Sequence, residues 1–367
     1  MKQGWEYKKL NEVCDKGSSN IVINKLIDNN GDYPLYGASG LIKNIDFYHQ
    51  DKRYIGIVKD GAGVGRVNIY PAFSSLVGTM QYIFPKEGYS LDFIKYFLIK
   101  LDLSYCVSGA TIPHIYFKDY GKELIPTPSL DTQQTIVSEL DKINELIRLK
   151  KEQLKDFDNL AQSIFYEMFG DPVENEMGWE VKKLGEVSSS KGGGTPSKSK
   201  PEYWNGNIAW VSSKDMKSMY ISDTQLHITD LGMQNSPAKL LPIGTILIVN
   251  RSGILKHTLP IAITTKAVTI NQDIKALLVN DKIANALFVL YTLKMSSSYL
   301  LSKTKAVTVD SINFAEFKAL KIPLPPLPLQ HLFAHRIEQI EHQKAEVQKA
   351  IIDLETLLAS RMQYWFE

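Results

Sequence analysis

Cysteine is almost missing: Cys14 and Cys106 are the only two in 367 residues, and neither has partners at metal-ligand spacing. That argues against structural zinc and a disulfide framework, and it points to a reducing, cytoplasmic setting. No run of 18 apolar residues occurs, so no membrane span is expected. Met1-Lys2-Gln3-Gly4-Trp5-Glu6 lacks the layout of a signal peptide. Catalytic signatures are missing as well. Lys191-Gly192-Gly193-Gly194-Thr195-Pro196-Ser197-Lys198 has the flavour of a phosphate loop at the wrong spacing. Gly61-Ala62-Gly63-Val64-Gly65 is half a dinucleotide fingerprint with no helix start behind it, and a glycine turn between strands is the better reading. His331 and His335 stand four apart without the intervening glutamate of a metalloprotease, and they are expected on a solvated helix face. The Asn/Asp-Pro-Pro-aromatic tetrapeptide of adenine methyltransferases does not occur.

What the chain does have, it has twice. Gly4-Trp5-Glu6-Tyr7-Lys8-Lys9-Leu10-Asn11-Glu12-Val13 returns as Gly178-Trp179-Glu180-Val181-Lys182-Lys183-Leu184-Gly185-Glu186-Val187, eight of ten letters being the same. Ile125-Pro126-Thr127-Pro128 returns as Ile322-Pro323-Leu324-Pro325, and a helical stretch follows each. The order is kept, so the chain is a tandem duplication. Ile125 follows Gly4 by 121 residues and Ile322 follows Gly178 by 144, and the interiors are nearly unrelated. A kept frame with a rewritten interior suggests two readers of two different things. Asp171 with Glu180 and Lys182 hints at a metal nuclease. Copy one, however, has Glu6 and Lys8 with no such aspartate upstream, so Glu-x-Lys is frame.

Net charge is only +2, but it is unevenly spread. Residues 1–128 carry 15 basic and 13 acidic side chains, residues 129–177 carry 5 and 11, residues 178–325 carry 18 and 10, and residues 326–367 carry 4 and 6. The globular stretches thus hold the positive charge and the helical stretches the negative. A polyanion would be drawn to the former. Long solvated helices are often acidic, which accounts for the arms but not for the excess of eight positive charges in the second globular stretch.

The helical stretches carry heptads. Ile136, Leu140, Ile143, Ile147, Lys150, Leu154, Phe157, Ala161, Ile164 and Met168 step by fours and threes. Adding 197 to each gives Phe333, Ile337, Ile340, Lys344, Val347, Ile351, Leu354, Leu358, Arg361 and Trp365, the same register with two polar breaks. The expected fold is α+β: two mixed α/β recognition domains separated by two long helices that form an antiparallel coiled coil, with a pseudo-two-fold axis. The expected divisions are residues 1–128 (domain one), 129–177 (central helix), 178–325 (domain two) and 326–367 (C-terminal helix). About 38 residues per arm make a rod of roughly 57 Å, a ruler between two half-sites. Strands are expected at Arg53–Val58 and Gly244–Val249, and short helices at Leu91–Leu101 and Lys282–Leu293.

If the domains bind DNA, their polar glycine-rich loops are where bases and phosphates can be approached. In copy one these hold Gly37, Ser39, Lys59, Gly61, Gly63 and Arg66. In copy two they hold Lys191, Thr195, Ser197, Lys198, Ser212, Ser213, Lys214, Arg251 and Ser252. Lys59 and Arg251 stand out, since each leaves a buried strand and enters a loop. Trp5 and Trp179 are expected as core anchors rather than base-stacking platforms.

This pattern resembles the specificity subunit of type I restriction–modification systems. The resemblance covers essentially the whole chain. It is carried by the two Gly-Trp-Glu-x-x-Lys-Leu-x-Glu-Val openings, by Gly193-Gly194-Thr195-Pro196-Ser197 and by Ile208-Ala209-Trp210-Val211-Ser212-Ser213-Lys214-Asp215. Asp60-Gly61-Ala62-Gly63-Val64-Gly65-Arg66-Val67 and the Ile-Pro-x-Pro passages with Gln133 and Gln330 equivalent complete it. Copy two departs at Lys305-Ala306-Val307-Thr308-Val309, where copy one has Gly109-Ala110-Thr111-Ile112-Pro113. The resemblance implies a non-catalytic subunit whose two domains each read half of a bipartite, asymmetric target on double-stranded DNA. It implies two methylation subunits and restriction (motor) subunits as partners. S-adenosylmethionine, ATP and Mg2+ would be bound by those partners and no cofactor or metal by this chain. Phe165, Phe169, Leu357 and Phe366, off the heptad seam, are expected to form the partner-docking stripe. Three alternatives stay open: a coiled-coil adaptor between proteins, the recognition half of a fused enzyme, or a recognition chain for a type II-like nuclease–methyltransferase.

Overall fold

The two shared ends of each repeat are strand partners. In the computed structural model, which describes residues 4–303 and 311–367, Tyr7–Lys9 pairs antiparallel with Leu124–Pro126, placing Lys8 opposite Ile125. Val181–Lys183 pairs with Lys321–Pro323 in the same way, Lys182 opposite Ile322. The opening motif and the Ile-Pro motif are therefore two sides of one ribbon, which is why they recur together. After each ribbon a single helical turn follows, with Leu10 and Val13, or Leu184 and Val187, fully buried. Its glutamate folds back: Glu12 accepts from the Lys9 N–H at 2.8 Å and Glu186 from the Lys183 N–H at 2.7 Å.

The chain divides into two compact units, Met1–Glu152 with Val347–Glu367, and Gln153–Glu346. In the first, Tyr54–Val58 lies between Val67–Tyr70 and Met80–Pro85, with Cys14–Ser18 beyond, all antiparallel. All five residues of Tyr54–Val58 are buried because the strand is covered on both faces. Side chains alternate along it. Ile55 and Ile57 meet Phe93, Ile94 and Phe97 of the helix Leu91–Leu101, while Tyr54 and Val58 meet Leu35 and Leu76. Those last two belong to a three-stranded sheet ordered Gly40–Ile45, Tyr33–Gly37, Ser75–Leu76, its final pair parallel. Cys14 and Cys106 are both free, and burial raises the Cys14 thiol to about 12.

The second unit repeats this plan. Ile246–Val249 lies between Ile261–Thr264 and Ile274–Val279, with Ser188–Gly192 beyond. Ile246 and Ile248 face the helix side, while Leu247 and Val249 face Ala209 and Val211. The smaller sheet is ordered His227–Ile228, Trp204–Val211, Thr269–Ile270, again ending in a parallel pair. Tyr220–Ile221, a fifth strand added parallel to Ile261–Thr264, has no counterpart among the described residues of the first unit. The short helix is Ala286–Met295 rather than 282–293. Asn285 caps it, its side chain accepting from Leu287 and Phe288, so the helix starts later than the apolar spacing suggests.

Two long helices, Leu130–Phe169 and Leu327–Phe366, each of 40 residues, contribute to both units. All the expected seam positions are buried or half-buried. In the first unit Glu139 accepts from the Arg361 guanidinium and from Trp365 Nε1 (3.1 Å), and Lys151 meets Glu355 at 2.7 Å. In the second, Lys344 meets Asp158 at 2.8 Å and Arg336 meets the Met168 sulfur at 3.7 Å. Residue numbers rise along one helix as they fall along the other, so the pairing is antiparallel in each unit. The polar breaks in the seam find acids. Burial works against the charge of Lys344, but Asp158 and Glu341 hold its ammonium above the usual lysine value.

A glutamine locks each short helix to the start of its arm. Gln133, 1% exposed, accepts from the Ser90 N–H (2.8 Å) and donates to the Pro128 carbonyl (2.9 Å). Gln330, 0% exposed, does the same with Asn285 (2.8 Å) and Pro325 (2.7 Å). The two glutamines are equivalent, as their spacing suggested.

The docking stripe needs correcting. Phe165 and Phe169 lie in the core of the second unit with Phe288 and Phe333, and Phe366 in that of the first with Phe93 and Phe97. Only Leu357 of the four is open, at 45% exposure. The ends of the arms are enclosed by the domains, so their apolar stripe is broader there than a two-helix seam. Trp5 and Trp179 sit at these joints: Trp5 stacks on Trp365 (6.1 Å, 6°) and Trp179 Nε1 donates to the Phe169 carbonyl (3.0 Å).

Candidate nucleic-acid interface

Three loops converge in the first unit. Strand Tyr54–Val58 ends, and Lys59 to Arg66 form a glycine-rich turn into Val67–Tyr70. Gly61 and Gly63 there have φ of +83° and +85°, a region that side chains with a Cβ rarely enter. Arg66 Nη1 reaches the Ala38 carbonyl (3.3 Å), which ties in the hairpin holding Ser39. Gly37, expected in that loop, is the last residue of its strand, paired with Gly40. The Gly61 N–H donates to the Pro113 carbonyl (2.8 Å), bringing in a third loop. That loop and its flank present Ile112 (62% exposed) and Tyr116 (50%), with Lys118 Nζ 5.1 Å from the Tyr116 ring. Sequence reasoning missed Tyr116 and Lys118 as interface candidates. Their signal was the alternation His114-x-Tyr116-x-Lys118.

In the second unit the loops meet the Ile270–Asp273 turn. The Gly194 N–H donates to the Ile270 carbonyl (2.9 Å) and Thr195 Oγ1 to Gln272 Oε1. The Asn271 N–H donates to the Val211 carbonyl (2.9 Å), at the entrance to Ser212, Ser213 and Lys214. Arg251 pairs with Asp273 through Nε (3.0 Å) and Nη2 (2.9 Å). Ser212 is spent locally, its hydroxyl donating to Asp215 (2.7 Å), and Ser252 caps the turn Gly253–Lys256. Lys191 is not in a loop: pairing with Ile274–Val279 extends its strand to Gly192 and sets it opposite Ala276. Ser197 and Lys198 are exposed; the Ser197 hydroxyl bonds that of Ser199 (2.8 Å), and the Ser197 carbonyl accepts from Trp204 Nε1 (3.1 Å). The copy-two segment 305–309 lies outside the described residues.

The two loop systems hang on one backbone cradle. In the first unit the N–H groups of Lys59 and Asp60 donate to the Thr79 carbonyl (3.0 and 3.1 Å), and the Ile115 N–H donates to the Lys59 carbonyl (2.9 Å). In the second, Asn250 and Arg251 donate to the Asp273 carbonyl (2.7 and 3.2 Å), and Ile312 to the Asn250 carbonyl (2.9 Å). Bridges Asp60–His114 and Arg251–Ser311 correspond as well. Lys59 is therefore the counterpart of Asn250, and Arg251 that of Asp60. The parallel drawn from sequence between Lys59 and Arg251 is off by one residue.

Among the described residues no group of three or more His, Cys, Asp or Glu is placed to hold a metal ion. None of the described helices is long and apolar enough to cross a membrane. His331 and His335 are exposed on the second arm.

Comparison with known proteins places this architecture. The family model described as Type I restriction modification DNA specificity domain matches residues 2–156 and 176–356. The specificity subunit of the type I restriction enzymes EcoR124I/EcoR124II of Escherichia coli is 31% identical over 243 residues, 62% of this chain and 57% of that protein. The specificity subunit of the MjaIX enzyme of Methanocaldococcus jannaschii is 28% identical over 192 residues, 51% of this chain and 44% of that protein. The matches thus span about half the length of these relatives. Among solved structures, the S subunit of a type I restriction–modification system from M. genitalium superposes with a TM-score of 0.60 at 15% identity, covering 99% of this chain and 96% of that one. A chain from a study of complex assembly and conformational transition of the type I R-M system gives 0.60 at 20% identity, covering 100% and 98%. At such identities the likeness is one of fold.

Proposed function

The chain belongs to the type I restriction–modification DNA specificity family, and from that premise we propose that it is the sequence-recognition subunit of a type I complex. The observation that carries this is the shared cradle with rewritten side chains: one backbone frame presents Lys59 and Asp60 in one unit and Asn250 and Arg251 in the other. Such a pair suits a bipartite, asymmetric target on double-stranded DNA. Gly37, Ser39, Lys59, Gly61, Gly63 and Arg66 would line one interface. Lys191, Thr195, Ser197, Lys198, Ser212, Ser213, Lys214, Arg251 and Ser252 would line the other. The paired helices set the gap between half-sites.

The chain does no chemistry of its own in this reading. It recruits two methylation subunits that bring S-adenosylmethionine, and restriction subunits that use ATP and Mg2+. Docking falls to apolar residues that the helices leave open, Leu146, Leu149, Leu160, Ile352 and Leu357, each 45–55% exposed.

Salt dependence tests the reading. The complex with its methylation subunits is expected to lose about 10³–10⁵-fold in DNA affinity between 50 and 200 mM salt if it makes 6–10 phosphate contacts. Fluorescence anisotropy on duplex DNA measures this. Absence of salt-sensitive DNA binding by the assembled complex would instead favour a protein adaptor.

A further inference from the structure

Resting on the reading of both units as DNA readers, we propose that one register position in each cradle reads a base edge. Arg251 selects a guanine in one half-site, and Asp60, its counterpart, accepts from an exocyclic base amine in the other.

The two residues occupy the same place. Each donates its N–H to the carbonyl at the start of the neighbouring strand, Thr79 or Asp273, and each forms the isolated bridge to the facing loop, with His114 or Ser311. What differs is the side chain and its brace. Asp273 Oδ1 takes both Nε and Nη2 of Arg251, at 3.0 and 2.9 Å. The brace is itself held, since Asp273 Oδ2 accepts from Asn271 Nδ2 (3.3 Å) and the Asp273 N–H donates to Asn271 Oδ1 (3.1 Å). Asn271 is only 6% exposed. A buried amide thus fixes a carboxylate, which fixes the plane of a guanidinium whose side chain is 56% exposed.

That grip uses the Nε side of the fork and leaves its outer Nη edge for a partner. Guanine presents two acceptors, O6 and N7, on its major-groove edge, at a spacing the fork matches. Holding the side chain in plane beforehand removes rotamer entropy that binding would otherwise cost. The carboxylate also cancels the arginine's net charge. A phosphate contact gains little from such an arrangement, whereas directional base reading gains its geometry. In the first unit Asp60 is likewise neutralised, Oδ2 accepting from Lys59 Nζ at 2.6 Å with the aspartate side chain 32% exposed. A carboxylate offers only acceptors. It complements the amine of cytosine or adenine and repels the O6 and N7 of guanine. Opposite polarity in one register makes the two half-sites different.

The test is the methylation motif written by the complete methylation complex carrying each variant. Arg251→Ala should reduce discrimination at a single guanine of one half-site about ten- to a hundred-fold, leaving the other half intact. Arg251→Lys keeps the charge but not the fork and should relax the same guanine, which guards against loss by misfolding. Asp273→Asn should weaken that position partly, and Asp60→Ala should relax one base pair of the other half. Uniform loss of affinity across sequences with a shallower salt slope would make Arg251 a phosphate contact and overturn the proposal. So would a wild-type motif that Arg251→Ala leaves unchanged. A wild-type complex that marks no sequence would overturn both this inference and the functional reading beneath it.

Discussion

Replacing Phe165 with alanine is expected to destabilise the second unit by about 3–5 kcal/mol. The ring is 1% exposed and meets Phe333 at 5.6 Å, Phe169 at 5.3 Å, Phe288 at 6.1 Å and Tyr291 at 6.5 Å. These neighbours come from the two arms and from the helix Ala286–Met295, so no single element can shift to fill the hole. Dispersion contacts and the burial term are lost together. Urea unfolding followed by circular dichroism gives the change. Leu357→Ala serves as control: at 45% exposure it should stay within about 0.5 kcal/mol. If the two variants proved equally stable, the placement of Phe165 in the core would be wrong. Should Leu357→Ala alone weaken association with the methylation subunits, docking on the open residues gains support.

The second large effect comes from the far end of the chain. Phe366→Ala is expected to cost the first unit about 3–4 kcal/mol, because Phe366 is 6% exposed and packs on Phe93 at 5.1 Å and Phe97 at 5.9 Å. The unit is completed by a residue some 270 positions away in sequence. Lys100 reinforces the joint by meeting Glu367 at 2.6 Å, although a pair this exposed adds little. The change should appear in amide hydrogen exchange as lost protection along Leu91–Leu101, while Ala286–Met295 stays as protected as before. Faster exchange confined to the last turn of the second long helix would show that its end only rests on the first unit.

These effects also mark how far the sequence could be followed. The duplication was legible because its two echoes are the two strands of one ribbon, in register at Lys8–Ile125 and Lys182–Ile322. The arms were legible because a heptad is a local period and needs no knowledge of the rest of the fold. Phe165, Phe169 and Phe366 were misplaced because heptad counting sees the partner helix but not the domain that encloses the helix end. Lys191 was placed in a loop because polar residues and glycine suggest a turn, whereas ladder bonds to Ala276 hold it in a strand.

The candidate site was legible in outline only. Gly61 and Gly63 signalled a turn that side chains cannot easily enter, and the turn is there. Its partners are not local: Gly61 bonds to Pro113, 52 residues on, and Arg251 to Asp273, 22 residues on. Counted from the ends of the buried strands, Val58 and Val249, Asp60 and Arg251 are both the second residue on, but sequence reasoning matched the basic residues Lys59 and Arg251 instead. The hydrogen bonds to Thr79 and Asp273 and the bridges to His114 and Ser311 align Arg251 with Asp60. Tyr116 and Lys118 were missed because the loop they flank is drawn into the site by backbone contacts of Pro113, His114 and Ile115 with residues more than 50 positions earlier, which no local pattern reveals.

The central claim is that one duplicated frame carries two different readers. Single-molecule sequencing of methylated bases in DNA from cells that express this chain with the methylation subunits proposed as its partners tests it most directly. The expected result is a split, asymmetric motif with one methyladenine in each half, on opposite strands. A soluble complex that leaves no new methylation, or a motif whose two halves are the same sequence, would contradict it.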